Sequence, residues 1–171
     1  MAAQHADSNG FTLIELLLYI SIVGSLLITI TLFFGLAAEA RIKSQSVSEV
    51  NDQAAAVMDY LTQTVRNATS ITSPAAGASA TALTIVVPTG SLSPTIINLT
   101  GTTLQIKEGA AGAVALTNSK VQITSLTFKN LTKTGTAGLV QISFTMIRTN
   151  AAGRNEYDFQ KTFTTSAELA W

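Results

Sequence analysis

A single carboxylate, Glu15, stands at the start of a long apolar stretch of the sequence. From Leu16 to Ala38 the chain carries no Asp, Glu, Lys or Arg, and this stretch exceeds the roughly 20 residues that a helix needs to cross a bilayer. A lone carboxylate at membrane depth costs on the order of 3 kcal/mol even on the most lenient insertion scale. Glu15 therefore needs a cationic partner or a function, and we expect residues 11–38 to form a membrane-spanning and assembly helix.

The residues around Glu15 form a motif in which Gly10 is followed by the sequence FTLIE, residues 11–15. The motif resembles the cleavage and methylation site of the type IV pilin superfamily, and the direct resemblance covers about the first thirty residues. It implies that a membrane prepilin peptidase cuts between Gly10 and Phe11, removes residues 1–10 as a leader and methylates the new amino terminus. It also implies that Glu15 pairs with the free amine of Phe11 in a neighbouring subunit during assembly. Opposite charges brought together in an apolar environment offset each other's desolvation cost.

The leader, residues 1–10, contains Asp7 but no Lys or Arg, whereas the leaders of prepilins usually carry basic residues. Arg41 and Lys43 follow the apolar run, so the positive-inside rule taken alone would leave the C-terminal part in the cytoplasm. Because a few basic residues bias topology only weakly, the motif has the greater weight. We expect a single-pass precursor in the cytoplasmic membrane, which then becomes part of an extracellular or cell-surface filament.

A secretory signal peptide is an alternative interpretation, because Ala38-Glu39-Ala40 fits a small-x-small cleavage pattern. Under this hypothesis the chain is cut after Ala40 and releases a secreted β-rich binding domain. The apolar region is, however, much longer than the roughly 7–15 residues of a signal-peptide core, and the segment before it lacks positive charge. Glu15 would also have no role in a discarded signal.

Beyond Ala38 the apolar residues recur at steps of three and four, which predicts that the helix continues with one buried face. No Pro or Gly interrupts residues 36–73, and Pro74 then disfavours further helix. We predict one helix from Phe11 to about Asn67 and assign residues 39–73 to its amphipathic half. The apolar stripe comprises Val47, Val50, Ala54, Val57, Leu61, Val65 and Ala68.

Residues 74–171 are predicted to form a β-rich globular domain, because short runs of β-branched residues alternate with turn residues. Thr95–Leu99 and Thr103–Lys107 flank a Thr-Gly-Thr turn and are expected to form a hairpin. Three longer runs predict an antiparallel meander, with a change of register near Ser125. These runs are Lys120–Asn130, Leu139–Thr149 and Glu156–Glu168. The predicted fold is α+β and pilin-like, with a long N-terminal α-helix packed on a C-terminal antiparallel β-sheet.

Residues with catalytic or metal-binding chemistry are scarce. The only histidine is His5, inside the predicted leader, and the absence of cysteine excludes thiol catalysis, thiolate metal sites and disulfides. No nucleophile elbow, phosphate-binding loop or His-rich metal spacing is present. Glu156 and Asp158 could supply part of a calcium site, but calcium loops carry more acidic ligands, so we interpret them as solvated strand charges. We predict no catalytic residue, cofactor or metal; a single-pass membrane enzyme is an alternative hypothesis.

The balance of charge gives no reason to expect a nucleic-acid partner, since Lys and Arg together number 10 and Asp and Glu together number 10. The resemblance implies a structural subunit of a type IV pilus, as a major or minor pilin. A type II secretion pseudopilin is the alternative within the superfamily. The implied partners are other pilin subunits, the prepilin peptidase, an assembly ATPase with its inner-membrane platform, and the membrane itself before assembly.

Overall fold

The computed structural model describes residues 12–170, and its first element is one helix, α1, from Leu13 to Arg66. The chain divides into two compact units between Arg41 and Ile42, and α1 supplies residues to both units. The predicted leader with His5, the predicted cleavage site between Gly10 and Phe11, and Trp171 lie outside the described residues.

The C-terminal end of α1 is hydrogen-bonded to the last described residues of the chain. The Asn67 N–H still bonds to the Gln63 carbonyl at 3.0 Å, as in a helix, but the Arg66 carbonyl accepts the N–H of Ala170 at 2.9 Å. The last carbonyls of a helix have no partner within the helix and must find one elsewhere. Here residue 170 provides one of these partners, so the helix ends where the C-terminal segment meets it.

Nine strands form two antiparallel sheets in the described part of the chain. The strands are β1 (Ser70–Ser73), β2 (Ser79–Ala80), β3 (Leu83–Val86), β4 (Thr95–Thr100), β5 (Thr103–Glu108), β6 (Val114–Ala115), β7 (Val121–Asn130), β8 (Leu139–Arg148) and β9 (Gln160–Glu168). The first sheet has the strand order β1-β3-β4-β5-β6, and the second has the order β2-β7-β8-β9. A hydrogen bond of 2.9 Å from the Ile123 N–H to the Thr102 carbonyl connects the two sheets.

Local sequence patterns correctly predicted one hairpin of the first sheet and a three-stranded meander in the second. Strands β4 and β5 form the predicted hairpin, and Gly101 at its turn has a φ of 62°, which favours glycine. Strands β7, β8 and β9 form the predicted meander. The register between β7 and β8 shifts between Ile123 and Ser125, as expected, so that Ile123 and Leu126 are both buried despite their odd spacing.

The hydrophobic core lies between the second half of α1 and the sheets. Six of the seven predicted stripe residues, from Val50 to Ala68, are buried in one cluster with apolar side chains of β3, β4, β5, β7 and β8. Val47 is only half-buried, and the neighbouring Ser46 is buried in its place. The predicted α+β architecture is confirmed: a long N-terminal helix packs on C-terminal antiparallel β-structure, which consists of two sheets.

Two predicted boundaries are wrong. Ser70–Ser73, which the boundary at residue 73 assigned to the amphipathic half of the helix, forms β1 and pairs with β3. Its backbone groups are satisfied by a distant strand, which local helix-ending signals do not reveal. Asn155–Tyr157 forms a 3₁₀ turn, so the last strand begins at Gln160 and not at Glu156. Lys43 and Ser46 of α1 hydrogen-bond to carbonyls of this segment, a tertiary contact that overrides the alternating pattern.

Candidate functional site

The first turn of α1 is capped by Thr12, the residue before the helix. The Glu15 N–H donates to the Thr12 hydroxyl oxygen at 3.3 Å and to the Thr12 carbonyl at 3.1 Å, and the Leu16 N–H donates to that carbonyl at 3.2 Å. A Thr side chain in this position satisfies one of the four N–H groups that a helix start leaves without a partner. Sequence reasoning missed this cap, although the Thr-x-x-Glu spacing is that of a capping box.

Glu15 itself lies in the first turn of α1 and is exposed. Among the ion pairs of residues 12–170, none involves Glu15. Its predicted partner, the amine of Phe11 in another subunit, lies outside the described residues. The carboxylate therefore faces outward from an apolar helix, in a position that a second molecule can reach.

The segment that follows Glu15 presents apolar side chains around the whole circumference of α1. The large hydrophobic side chains between Leu16 and Leu36 range from 48% exposed at Ile22 to 68% exposed at Phe33. Helix α1 is long and apolar enough to cross a membrane, and its most apolar stretch has no buried residue. Residues 12–170 contain no second helix of this kind. An exposed apolar surface of this extent marks a site of membrane insertion or protein association.

Four hydroxyl groups within the apolar segment bond back to the helix itself. Each donates to a backbone carbonyl three or four residues earlier, at 2.8 to 2.9 Å. A polar group placed in hydrocarbon is costly unless it is hydrogen-bonded internally, and this arrangement meets that requirement. The four residues are Ser21, Ser25, Thr29 and Thr31, which bond to the carbonyls of Leu17, Ile22, Ser25 and Leu27.

In the second unit, α1 holds the 3₁₀ turn through a lysine. The Lys43 ammonium donates to the carbonyls of Asp158 at 2.6 Å and Asn155 at 3.3 Å, and the buried Ser46 hydroxyl donates to the Glu156 carbonyl at 3.3 Å. The Glu156 carboxylate forms an ion pair with Arg154. Glu156 therefore lies in the 3₁₀ turn and Asp158 directly after it, and neither belongs to a strand. Within residues 12–170 no group of three or more His, Asp or Glu side chains could hold a metal ion.

A second polar cluster joins α1 to the residues that flank β7 and end β8. The Glu49 carboxylate accepts a hydrogen bond of 2.9 Å from Asn118 and lies 3.5 Å from the Lys120 ammonium and 3.7 Å from the Arg148 guanidinium. The Asn118 hydrogen bond and the two cations lower the pKa of Glu49 below its ordinary value, and burial opposes them. No pattern in the sequence pointed to this cluster, because Glu49 lies about 70 to 100 residues from its three partners along the chain.

No protein-family model, curated protein or solved structure matches this chain. Two features of the molecule bear on its function: the exposed apolar segment of α1 with Glu15 in its first turn, and a β-rich second unit in which polar contacts hold the second half of α1.

Proposed function

We propose that this protein is a structural subunit of a type IV pilus or a related filament, as a major or minor pilin. A prepilin peptidase cleaves the chain between Gly10 and Phe11 and methylates Phe11, and the subunit then assembles through α1. Before assembly the protein is a single-pass precursor in the cytoplasmic membrane. An assembly ATPase and its inner-membrane platform move it into an extracellular or cell-surface filament, and the subunit performs no catalysis.

One observation carries this proposal: the apolar segment of α1 is exposed on all sides and begins with a carboxylate in its first turn. Burying one large apolar side chain is worth about 1.5–3 kcal/mol relative to water, so this segment requires lipid or neighbouring helices. Lipid tails and apolar side chains are about equally apolar, so hydrophobic burial alone does not favour transfer of the helix from the lipid to a filament. Pairing of Glu15 with the amine of another subunit supplies such a drive, because each charge is costly in lipid when alone.

The mass and amino-terminal sequence of the mature protein from its native cells test the proposal. We expect a chain that begins at N-methylated Phe11. A chain that retains residues 1–10, or one that begins at Arg41, would contradict filament assembly through residues 11–38.

One observation favours a second candidate, a secreted β-rich binding domain released by cleavage after Ala40. The second compact unit begins at Ile42, one residue after the Ala40–Arg41 bond. The contacts of Lys43, Ser46 and Glu49 would all remain in the released part. The same mass measurement distinguishes the candidates.

If Phe11 is the mature start, deletion of the protein distinguishes a pilin from a pseudopilin. Loss of surface filaments indicates a pilin, and loss of protein secretion indicates a type II secretion pseudopilin.

A further inference from the structure

The second unit contains a groove of about 550 Å³ beside the end of α1. One wall is a single face of the last turns of α1, where Tyr60 and Gln63 are followed by Asn67, the residue directly after the helix, at spacings of three and four residues. The other wall contains Pro88 and Leu92 from the connection between β3 and β4, and Glu108 at the end of β5 also lines the groove. The volume falls within the range of small-molecule binding sites.

The wall opposite α1 is held in place by hydrogen bonds. The buried Thr95 hydroxyl donates to the Leu92 carbonyl at 2.8 Å, and the Gly109 N–H donates to the Pro94 carbonyl at 3.0 Å. Gly109 has a φ of 52°, and a Cβ added there would overlap the backbone of Ser91. The groove is therefore a preformed feature of the fold, since its wall depends on a close approach that only glycine permits.

The groove combines apolar surface with an uncompensated negative charge. Tyr60 and Leu92 are 40% and 39% exposed, so an aromatic ring and an aliphatic chain are both accessible. Glu108 is half-buried and belongs to none of the ion pairs in the described residues, and the described lining contains no Lys, Arg or His. Burial and the nearby Glu108 carboxylate raise the pKa of Tyr60, and the face of a tyrosine ring can attract a cation.

We propose that this groove binds a small organic cation, in which an ammonium group pairs with Glu108 and the apolar body contacts Tyr60 and Leu92. An anionic ligand would face an unpaired carboxylate and is disfavoured. A neutral ligand would leave that half-buried charge without a partner, which is costly. The amide groups of Gln63 and Asn67 can also bond to polar atoms of the ligand. This inference does not depend on filament assembly.

A matched pair of probes, benzylammonium and benzyl alcohol, tests the charge requirement. Each is titrated into the full-length protein in detergent micelles, and binding is followed by NMR shifts of residues lining the groove. We expect saturable shifts at Tyr60, Leu92 and Glu108 with benzylammonium, and an affinity at least about tenfold lower for benzyl alcohol. Equal affinities, or shifts only at residues outside the groove, would overturn the proposal.

Three variants localise the interaction. Glu108→Gln should weaken benzylammonium binding by about tenfold or more, since it removes the charge and keeps the shape. Asp59→Asn changes an exposed carboxylate next to Tyr60 that does not line the groove, and it should leave the affinity unchanged. Gly109→Ala should displace the groove wall and lower the affinity for both benzylammonium and benzyl alcohol. Loss of binding in Asp59→Asn, or retention of full affinity in Glu108→Gln, would refute the assignment. A third outcome would also refute it: the protein self-associates, Glu108→Gln abolishes this self-association, and benzylammonium causes no NMR shifts. The occupant of the groove would then be a second copy of the protein.

Discussion

Replacement of Glu15 by Ala is expected to leave membrane insertion intact and to impair incorporation into filaments. Glu15 is exposed in the first turn of α1, and the Thr12 cap uses its backbone N–H, which Ala retains. If the side chain acted only on the helix dipole, its loss would cost about 0.3–1 kcal/mol, which is less than tenfold in an equilibrium constant. Removal of one partner from a buried ion pair costs about 3–5 kcal/mol, which corresponds to a loss of roughly 100- to 4,000-fold.

Competition in one cell provides the assay. Wild-type and Glu15→Ala chains are expressed together, and their ratio is measured by mass spectrometry in the membrane fraction and in purified filaments. Glu39→Ala is the matched control, because it removes another exposed carboxylate of α1 just beyond the apolar segment. We expect equal membrane ratios for both variants, a filament ratio near the wild-type value for Glu39→Ala, and a deficit of at least about a hundredfold for Glu15→Ala.

The result that refutes the reasoning is a Glu15→Ala deficit of less than about tenfold in filaments. Such a deficit would lie within the range of the helix dipole alone. An equal deficit for Glu39→Ala would also refute it, because the effect would then follow from the net charge of the helix and not from a specific pair.

Two further predictions concern the second unit. Leu61→Ala removes a fully buried side chain from the apolar stripe of α1 and should destabilise the full-length protein in micelles by about 3–5 kcal/mol. The control variant Leu36→Ala, in the exposed apolar segment, should leave thermal unfolding of the β-structure unchanged. Similar melting temperatures for the two variants would contradict the assignment of Leu61 to the core. Because the pKa of Glu49 is lowered in the folded state from its ordinary value of 4.5, the unfolded chain takes up the proton first, so this contribution to stability is present above about pH 4.5 and is lost as the pH falls below it. Urea unfolding at a series of pH values should therefore show a shallower acid loss for Glu49→Gln than for the wild-type protein, and parallel curves would show that Glu49 does not couple folding to pH.

The architecture could be predicted because its strongest signals are local. Apolar spacing from Val50 to Ala68 revealed the buried face of α1, and the alternation in β7 and β8 revealed both their pairing and the irregularity near Ser125. The errors occurred where a distant partner competed with a local preference. Ser70–Ser73 forms β1, which pairs with β3. Asn155–Tyr157 departs from the strand pattern because Lys43 and Ser46 hydrogen-bond to carbonyls of this turn.

The amino-acid sequence by itself determined three features: the apolar segment, the carboxylate at its start and the amphipathic continuation of the helix. Each of them depends on residues that are only a few positions apart. The Glu49 cluster, the closure of α1 by Ala170 and the groove beside Tyr60 became visible only in the folded molecule. Each of these features unites residues from separate elements, and nothing in the spacing along the chain encodes their proximity. The contacts exist because strand pairing and core packing bring those elements together, and the positions of the polar side chains follow from that packing.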